Sequence, residues 1–456
     1  MCLRGLQGFC IPHFSRLLGA ISVDKETMLL EVGKTEKITA TISPPNATNK
    51  KVNWTSSNEE VATVDANGNV TALASGEAII TAVSVSNANM SATCTVTVVN
   101  DWCELAVVDW YGDDSEDTYT IKTAAELAGL ALLVNSVENP VDFAGKTIKL
   151  ESDIDLLGLE WAPIGFINET TEVEAIGEKN EYEYQNIFKG SFNGNKHTIS
   201  NLKIEKNDYK AVGLFGVISL TANAEIKDIK IDNATVNGYT GVGVLAGMAR
   251  AGTKWVSGVG HAAQISDIEV SNATVTGLKY VGGVIGYSTA SIKDSKALNV
   301  EITANYKTGM EGKSGETAGG IVGNLYDLFS ITSCEVADSI VTSQTRAGGI
   351  AGSSNNARDI SECSVRDTTI ELVESEEEAA ENEGYAGFIS GRSVPSTVGA
   401  SRNNNTYNVR ASINGIEKAI NYFCSSISSI SIEPETTTLV VGGTGIIKAK
   451  AGGHDV

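Results

Sequence analysis

One pattern returns through residues 212–391 and limits what this chain can fold into: a short run of alternating apolar side chains, then glycines set among small apolar residues. The runs begin IKDIKIDNATV at Ile226, ISDIEVSNATV at Ile265, IKDSKALNVEI at Ile292, ITSCEVADSIV at Ile331 and ISECSVRDTTI at Ile360. The glycine clusters that follow read VGVLAG at Val242, VGGVIG at Val281, AGGIVG at Ala318, AGGIAG at Ala347 and a degraded YAGFIS at Tyr385, with VGLFG at Val212 ahead of the first. Successive starts lie 39, 27, 39 and 29 residues apart, so the core unit is near the shorter spacing and carries insertions. Such a unit cannot bury a core alone. Within each run the apolar residues alternate, with one slip between Ile226 and Ile229, and a period of two means strand. The fold class expected is all-β, with a parallel, right-handed β-helix solenoid in which like positions of successive coils stack.

Stacking turns the alignment of units into a spatial prediction. Asn233, Asn272, Asn299, Asp338 and Asp367 hold one equivalent position where the strand should bend, and Asn and Asp tolerate left-handed backbone there. Cys334 and Cys363 align with Ile229 and Ile268, an inward position, and read as buried thiols, whether bonded to one another or not. Asp228, Asp267, Asp294, Ser333 and Glu362 read as an outward, solvated ladder. The glycine clusters lack the strand-before, helix-after setting and the fixed Lys or acid of a nucleotide-binding loop, so they read as turns and close packing.

The VGGVIG and AGGIVG cores with their Ile-x-x-Cys and Ile-x-Asp runs resemble GLUG-motif repeats of bacterial surface proteins. The likeness extends upstream to YTIKTAAELAGLALLVN at Tyr119, FAGKTIKLESDIDL at Phe143, WAPIG at Trp161 and FKGSFNGNKHTISNLKI at Phe188, which resemble the coils leading into such repeats. The resemblance implies a secreted or surface-anchored β-helix, often associated with adhesion. It implies no catalytic residue.

A net charge of −22 opposes binding to nucleic acid, whose phosphates demand a basic face, and disfavours anionic membrane surfaces. The 46 glycines and abundant Thr, Val, Ile, Asn and Ser fit a turn-rich all-β chain. Seven cysteines show neither a CxxC pair nor a Cys/His metal spacing, so no metal and no cofactor is expected. No apolar run is long enough for a transmembrane helix, so no membrane insertion is expected.

Residues 1–20 make a poor signal peptide, because Gln7, Pro12 and His13 interrupt the apolar stretch; a disordered segment or remnant leader is expected. Residues 21–100 read as short strands at regular spacing, with bends at Gly33, Pro44, Pro45, Asn67, Gly68 and Gly76, which suits a small sandwich. VNWTSSNEEVATVDANGNVTALASGEAIITA from Val52 closely resembles the bacterial Ig-like domain, group 2, of invasin- and intimin-type surface proteins. Trp54 and Val61 are expected in its core, and Cys94 as a buried or edge thiol.

Residues 101–117 read as a semi-rigid joint opening a β-helix region over 101–424. Thr123 and Glu126 form a capping box, and Leu127, Leu130, Ala131 and Val134 make one apolar stripe, so an N-terminal capping helix is expected over the first coil. Asp153 and Asp155 lie near each other in sequence, and paired carboxylates can serve as a glycosidase acid and base, but alternation sets both on one strand face, where a turn or solvated edge is the simpler role. His197 has no acid near it in sequence and reads as structural.

Three insertions, 249–264, 306–316 and 374–383, interrupt the array, and loops on a rigid scaffold are where recognition resides. Trp255 and Tyr306 are the candidate ligand contacts; the acidic ESEEEAAENE run lacks the spacing of a calcium loop. From Ile430, ISIEPETTTLVVGGTGIIKAK repeats the pattern of ISVDKETMLLEVGKTEKITAT at Ile21, so residues 425–456 are expected to begin a second Ig-like domain that is cut off, making the chain a fragment. The expectation for the whole is a monomeric, non-enzymatic, extracellular adhesin-like module, with glycans or matrix proteins of host or neighbouring cells as partners. The rival is a β-helix polysaccharide lyase or glycoside hydrolase.

Overall fold

A computed structural model describes residues 19–112, 115–166, 186–220, 223–251, 264–305, 316–326, 329–355 and 359–372, with separate strand segments between 385 and 455. The chain divides into two compact units after Asn100.

The first unit contains β1 (Ala20–Val23), β2 (Thr27–Glu31), β3 (Thr35–Lys37), β4 (Ala40–Ser43), β5 (Val52–Ser56), β6 (Ala62–Val64), β7 (Asn69–Ala72), β8 (Gly76–Ser84) and β9 (Asn87–Val99). They form sheets ordered β2-β9-β8-β5 and β3-β7-β6, with β1 and β4 paired beside them. Alternation places Ala78, Ile80 and Ala82 of β8 and Cys94, Val96 and Val98 of β9 inside, where Met28, Leu30, Ile38, Val61 and Val70 complete the core. Full burial of a side chain the size of Ile80 stabilises by about 1.5–3 kcal/mol. Trp54 departs from the expectation: it is half-buried and packs along the margin of this core, against Gly68, rather than within it. The turn between β6 and β7 is held by Asp65, whose carboxylate accepts from the backbone amides of Asn67 (2.8 Å) and Asn69 (2.9 Å).

The second unit is built of parallel strands. Its largest sheet has 17 strands, starting with Thr118–Ile121 and Thr147–Leu150, and every pairing within it is parallel. Two six-stranded parallel sheets lie beside it, one starting at Lys210–Val212 and the other at Phe215–Leu220. Each repeat visits all three in turn: the alternating run in the broad sheet, the front half of the glycine cluster in one narrow sheet, the back half in the other.

The slip in the alternation has a backbone cause. In Glu225–Asp232 and the residues after it, Ile226, Ile229, Ile231, Ala234 and Val236 are buried, and the two extra residues, Asp228 and Asn233, both adopt a φ of 55°. A left-handed residue turns the chain without breaking the inward pattern, and the second bend comes five positions after the first. The equivalent residues repeat the conformation in register: Asp267, Asp294, Ser333 and Glu362 after Asp228, and Asn272, Asn299, Asp338 and Asp367 after Asn233. The expected alignment of the Asn and Asp series is therefore present. The Asp228 series, read from sequence as merely solvated, forms a second row of bends.

Amide side chains tie the rows together. Asn201 donates to Asp155 (2.7 Å), Asn233 to Asn201 (2.5 Å), Asn272 to Asp232 (2.7 Å) and Asn299 to Asn272 (2.8 Å). Where the first inward residue after a bend is Ser, Thr or Cys, it donates to the carbonyl two residues back: Ser295 to Lys293 (2.8 Å), Ser339 to Ala337 (2.7 Å), Thr368 to Arg366 (2.8 Å), Cys334 to Thr332 (3.4 Å) and Cys363 to Ser361 (3.3 Å). Cys334 and Cys363 are buried thiols in adjacent repeats and are not joined in a disulfide.

The glycines allow the two narrow sheets to meet backbone against backbone. A methyl group at Gly247 would overlap the main chain of Ala211 and Val212; one at Gly286 would overlap Gly241 and Val242, and one at Gly323 the main chain of Tyr280 and Val281. Their amides are engaged along the ladder, as when Gly283 donates to Gly319 (3.1 Å) and Gly320 to Gly348 (3.2 Å). The close-packing role expected from sequence holds, and these amides already have acceptors.

The helix α1 (Ala124–Val134) lies in sequence between the first two strands of the broad sheet, with the expected capping box between Thr123 and Glu126 and with Leu127, Leu130, Ala131 and Val134 buried. Residues 101–111, the front of the stretch read from sequence as a semi-rigid joint, pack within the second unit. Asp101 caps a short 3-10 helix, Trp102–Leu105, and buried Trp102 donates to the Leu156 carbonyl (2.9 Å). Trp110 stacks on Phe143 at 6.1 Å, in a cluster with Tyr111 and Tyr119. Three aromatic residues, Trp102, Trp110 and Tyr111, anchor this short stretch.

Candidate functional site

Asp153 and Asp155 flank buried Ile154, and both side chains point to the exterior, as alternation predicts. Both carboxylates are occupied. Asp153 accepts from the Thr198 amide (2.9 Å) and from His197 Nδ1 (3.1 Å), and Asp155 accepts from the Leu157 amide and from Asn201 (each 2.7 Å). The Thr198 amide, followed by His197, holds the Asp153 carboxyl below its ordinary range. His197 thus has an acid partner after all, brought from 44 residues away by parallel pairing. The group clasps the Gly194–His197 turn to the neighbouring rung, where His197 also donates its amide to the Gly194 carbonyl (2.9 Å).

The outer face of the broad sheet carries charge pairs between rungs: Lys230 with Glu269 (3.6 Å), Lys296 with Glu335 (3.0 Å) and Glu335 with Arg366 (2.8 Å). Lys296 first, then Arg366, depresses the Glu335 carboxyl. Among the described residues, no group of three His, Cys, Asp or Glu side chains is placed to hold a metal ion, and no helix is long and apolar enough to cross a membrane.

Trp255 and Tyr306, the two candidate contacts, lie outside the described residues, as do residues 1–18, the 373–384 acidic loop and most of 425–456. The roots of the insertions are described. The first leaves the end of Ala246–Ala251 in one narrow sheet, and the second enters the other at Thr317–Gly319. Asn305, at the near root of the second, accepts from Gln344 of the next repeat (3.2 Å). Sequence reasoning did not single out the tyrosines between these roots. Tyr280, Tyr287 and Tyr326 pack with Met248 and Val217, and their one signal in the sequence is nearness to a glycine cluster, Tyr280 just before VGGVIG, Tyr287 just after it and Tyr326 shortly after AGGIVG.

Residues 19–96 match the bacterial Ig-like domain (group 2), in agreement with the nine-stranded first unit. A domain of this kind points to a surface or extracellular module. The chain is also similar to two uncharacterised proteins of Clostridium acetobutylicum, at 43% identity over 82 residues (18% of this chain, 8% of the relative) and 37% over 90 residues (20% and 23%). A 3-O-alpha-D-galactosyl-alpha-L-arabinofuranosidase of Bifidobacterium longum subsp. longum is 43% identical over 72 residues, 16% of this chain and 6% of that enzyme. The chain thus spans less than a quarter of the length of these relatives.

Proposed function

We propose that this chain is a non-enzymatic display module of a bacterial surface or secreted protein, in which an Ig-like spacer accompanies a parallel, right-handed β-solenoid of GLUG-type repeats that contacts glycans or matrix proteins. The observation that carries the solenoid reading is the in-register repetition of the two left-handed rows through five successive repeats. Like residues stacked in this way make long lateral faces, and many weak contacts along such faces add by multivalency. In this reading α1 covers the apolar end of the first coil, and the module works as a monomer.

The enzymatic alternative draws on the arabinofuranosidase, but that likeness falls within the small Ig-like region. The carboxylate pair nearest to a glycosidase arrangement has structural partners on both members. Binding of the purified chain to a glycan array and a panel of matrix proteins tests the display reading, and failure on both removes it. Depolymerisation of a polysaccharide that is lost in Asp153→Asn or Asp155→Asn would establish the alternative.

A further inference from the structure

Among the described residues, three buried polar atoms in the narrow sheets have no hydrogen-bond partner, Thr240 Oγ1, Thr317 Oγ1 and Asn324 Oδ1, and the last two belong to one repeat, on Thr317–Gly319 and Val322–Tyr326. Buried polar groups are nearly always satisfied, so each such exception asks for an explanation. Their surroundings supply one. Asn324 pairs in the ladder with Tyr287 and stands two residues before Tyr326, on the same strand face. Thr317 follows from the neighbouring register, in which Val281 meets Ala318, so it lies beside Tyr280; on its other side it pairs with Arg346. The Tyr280 and Tyr287 rings touch, with centroids 5.6 Å apart. Tyr280 and Tyr326 are half-buried and present part of their surface to the exterior. Burial raises the Tyr280 hydroxyl above its ordinary range, against the pull of Arg346, which keeps it a donor at neutral pH.

We propose that this edge binds a hexose unit of a neutral glycan, with the apolar sugar face on the Tyr280 and Tyr326 rings and sugar hydroxyls bonded to Asn324 Oδ1 and Thr317 Oγ1. This rests on the display reading above and gives it a place and a ligand class. An amide oxygen accepts only from a donor, so a hydroxyl fits it and a carboxylate, sulfate or phosphate does not. The net charge of −22 opposes acidic sugars as well. Aromatic rings beside a few fixed polar groups match a ligand whose ring has one C–H face and a rim of hydroxyls. Because Asn324 Oδ1 is buried and Tyr326 packs on the same strand face, this binding requires the Tyr326 ring to turn outward.

The test uses the full chain on an array of neutral and acidic hexose oligosaccharides, followed by titration of the best neutral hit against wild type, Tyr326→Ala and Asn324→Leu. The expected result is binding to neutral sugars, weakened at least tenfold in both variants with the thermal unfolding midpoint of Tyr326→Ala little changed. In the wild type, the same sugar should slow hydrogen exchange in peptides covering 279–289 and 317–326, a measurement that needs no variant to fold. Binding that persists in both variants, or protection confined to other peptides, overturns this site and leaves the display reading intact. Binding to matrix proteins with no sugar bound overturns the site alone, whereas no binding of any kind removes both.

Discussion

Single residues in this protein are constrained chiefly by backbone conformation and by what lies one rung away. Asn272 is left-handed, donates to Asp232 and accepts from Asn299. Asn272→Val should therefore lower stability by about 1–2 kcal/mol for the forced conformation alone, while Asn272→Gly, which adopts it freely, should lose less; chemical denaturation distinguishes them. The Cys334 thiol is pushed well above its ordinary range by burial, then by Cys363. Both thiols should stay silent to a thiol reagent in the native protein and react on unfolding. Cys334→Ser should cost under about 1.5 kcal/mol, because Ser295 already makes the same back-bond one rung earlier. Glu335 contributes to pH dependence. Its carboxyl is depressed in the fold, so its stabilising effect is complete above the ordinary 4.5 and is lost as pH falls through the lower folded value. Acid titration of Glu335→Gln should accordingly show a shallower loss of stability below about pH 4.5 than wild type.

At the scale of strands and turns, the glycine rows are the least tolerant feature. Gly286→Ala or Gly323→Ala sets a methyl into main chain of the facing strand, which has no rotamer by which to give way. Overpacking of side chains costs about 1–3 kcal/mol, and a clash with backbone should reach at least the top of that range, measured as a fall in the unfolding midpoint or in soluble yield. Much of this element structure was legible in the chain. The repeat of Ile226, Ile265, Ile292, Ile331 and Ile360 gave the register of the broad sheet, and the capping box at Thr123 gave the start of α1. What escaped was contact between residues far apart in sequence. The partner of His197 is 44 residues upstream, and Trp102 finds the Leu156 carbonyl across 54 residues. The slip at Asp228 was visible as a break in period, yet only its positive φ shows it to be a bend. The tyrosine edge was hidden for a related reason, since Tyr287 and Asn324 differ in chemistry and meet only through the ladder.

The two units are unlike in how they hold together. The first closes a core of its own around Ile38, Ile80 and Val96, so residues 19–100 expressed alone should fold cooperatively, with a melting transition that matches one phase of the full chain. The second has no such closure within any one repeat, because the strands of each repeat pair with those of the repeats before and after it. Its repeats differ in length but pair in register, and Ile331 stands opposite Ile360. Removing residues 331–359 should therefore leave a soluble, shorter protein, whereas removing half as many should ruin it, a difference that circular dichroism and size-exclusion chromatography would reveal. Because each repeat meets its neighbours through the same parallel register, a gene that gained or lost one whole repeat would still encode strands that match, so relatives could differ in repeat number without any single pairing having to change.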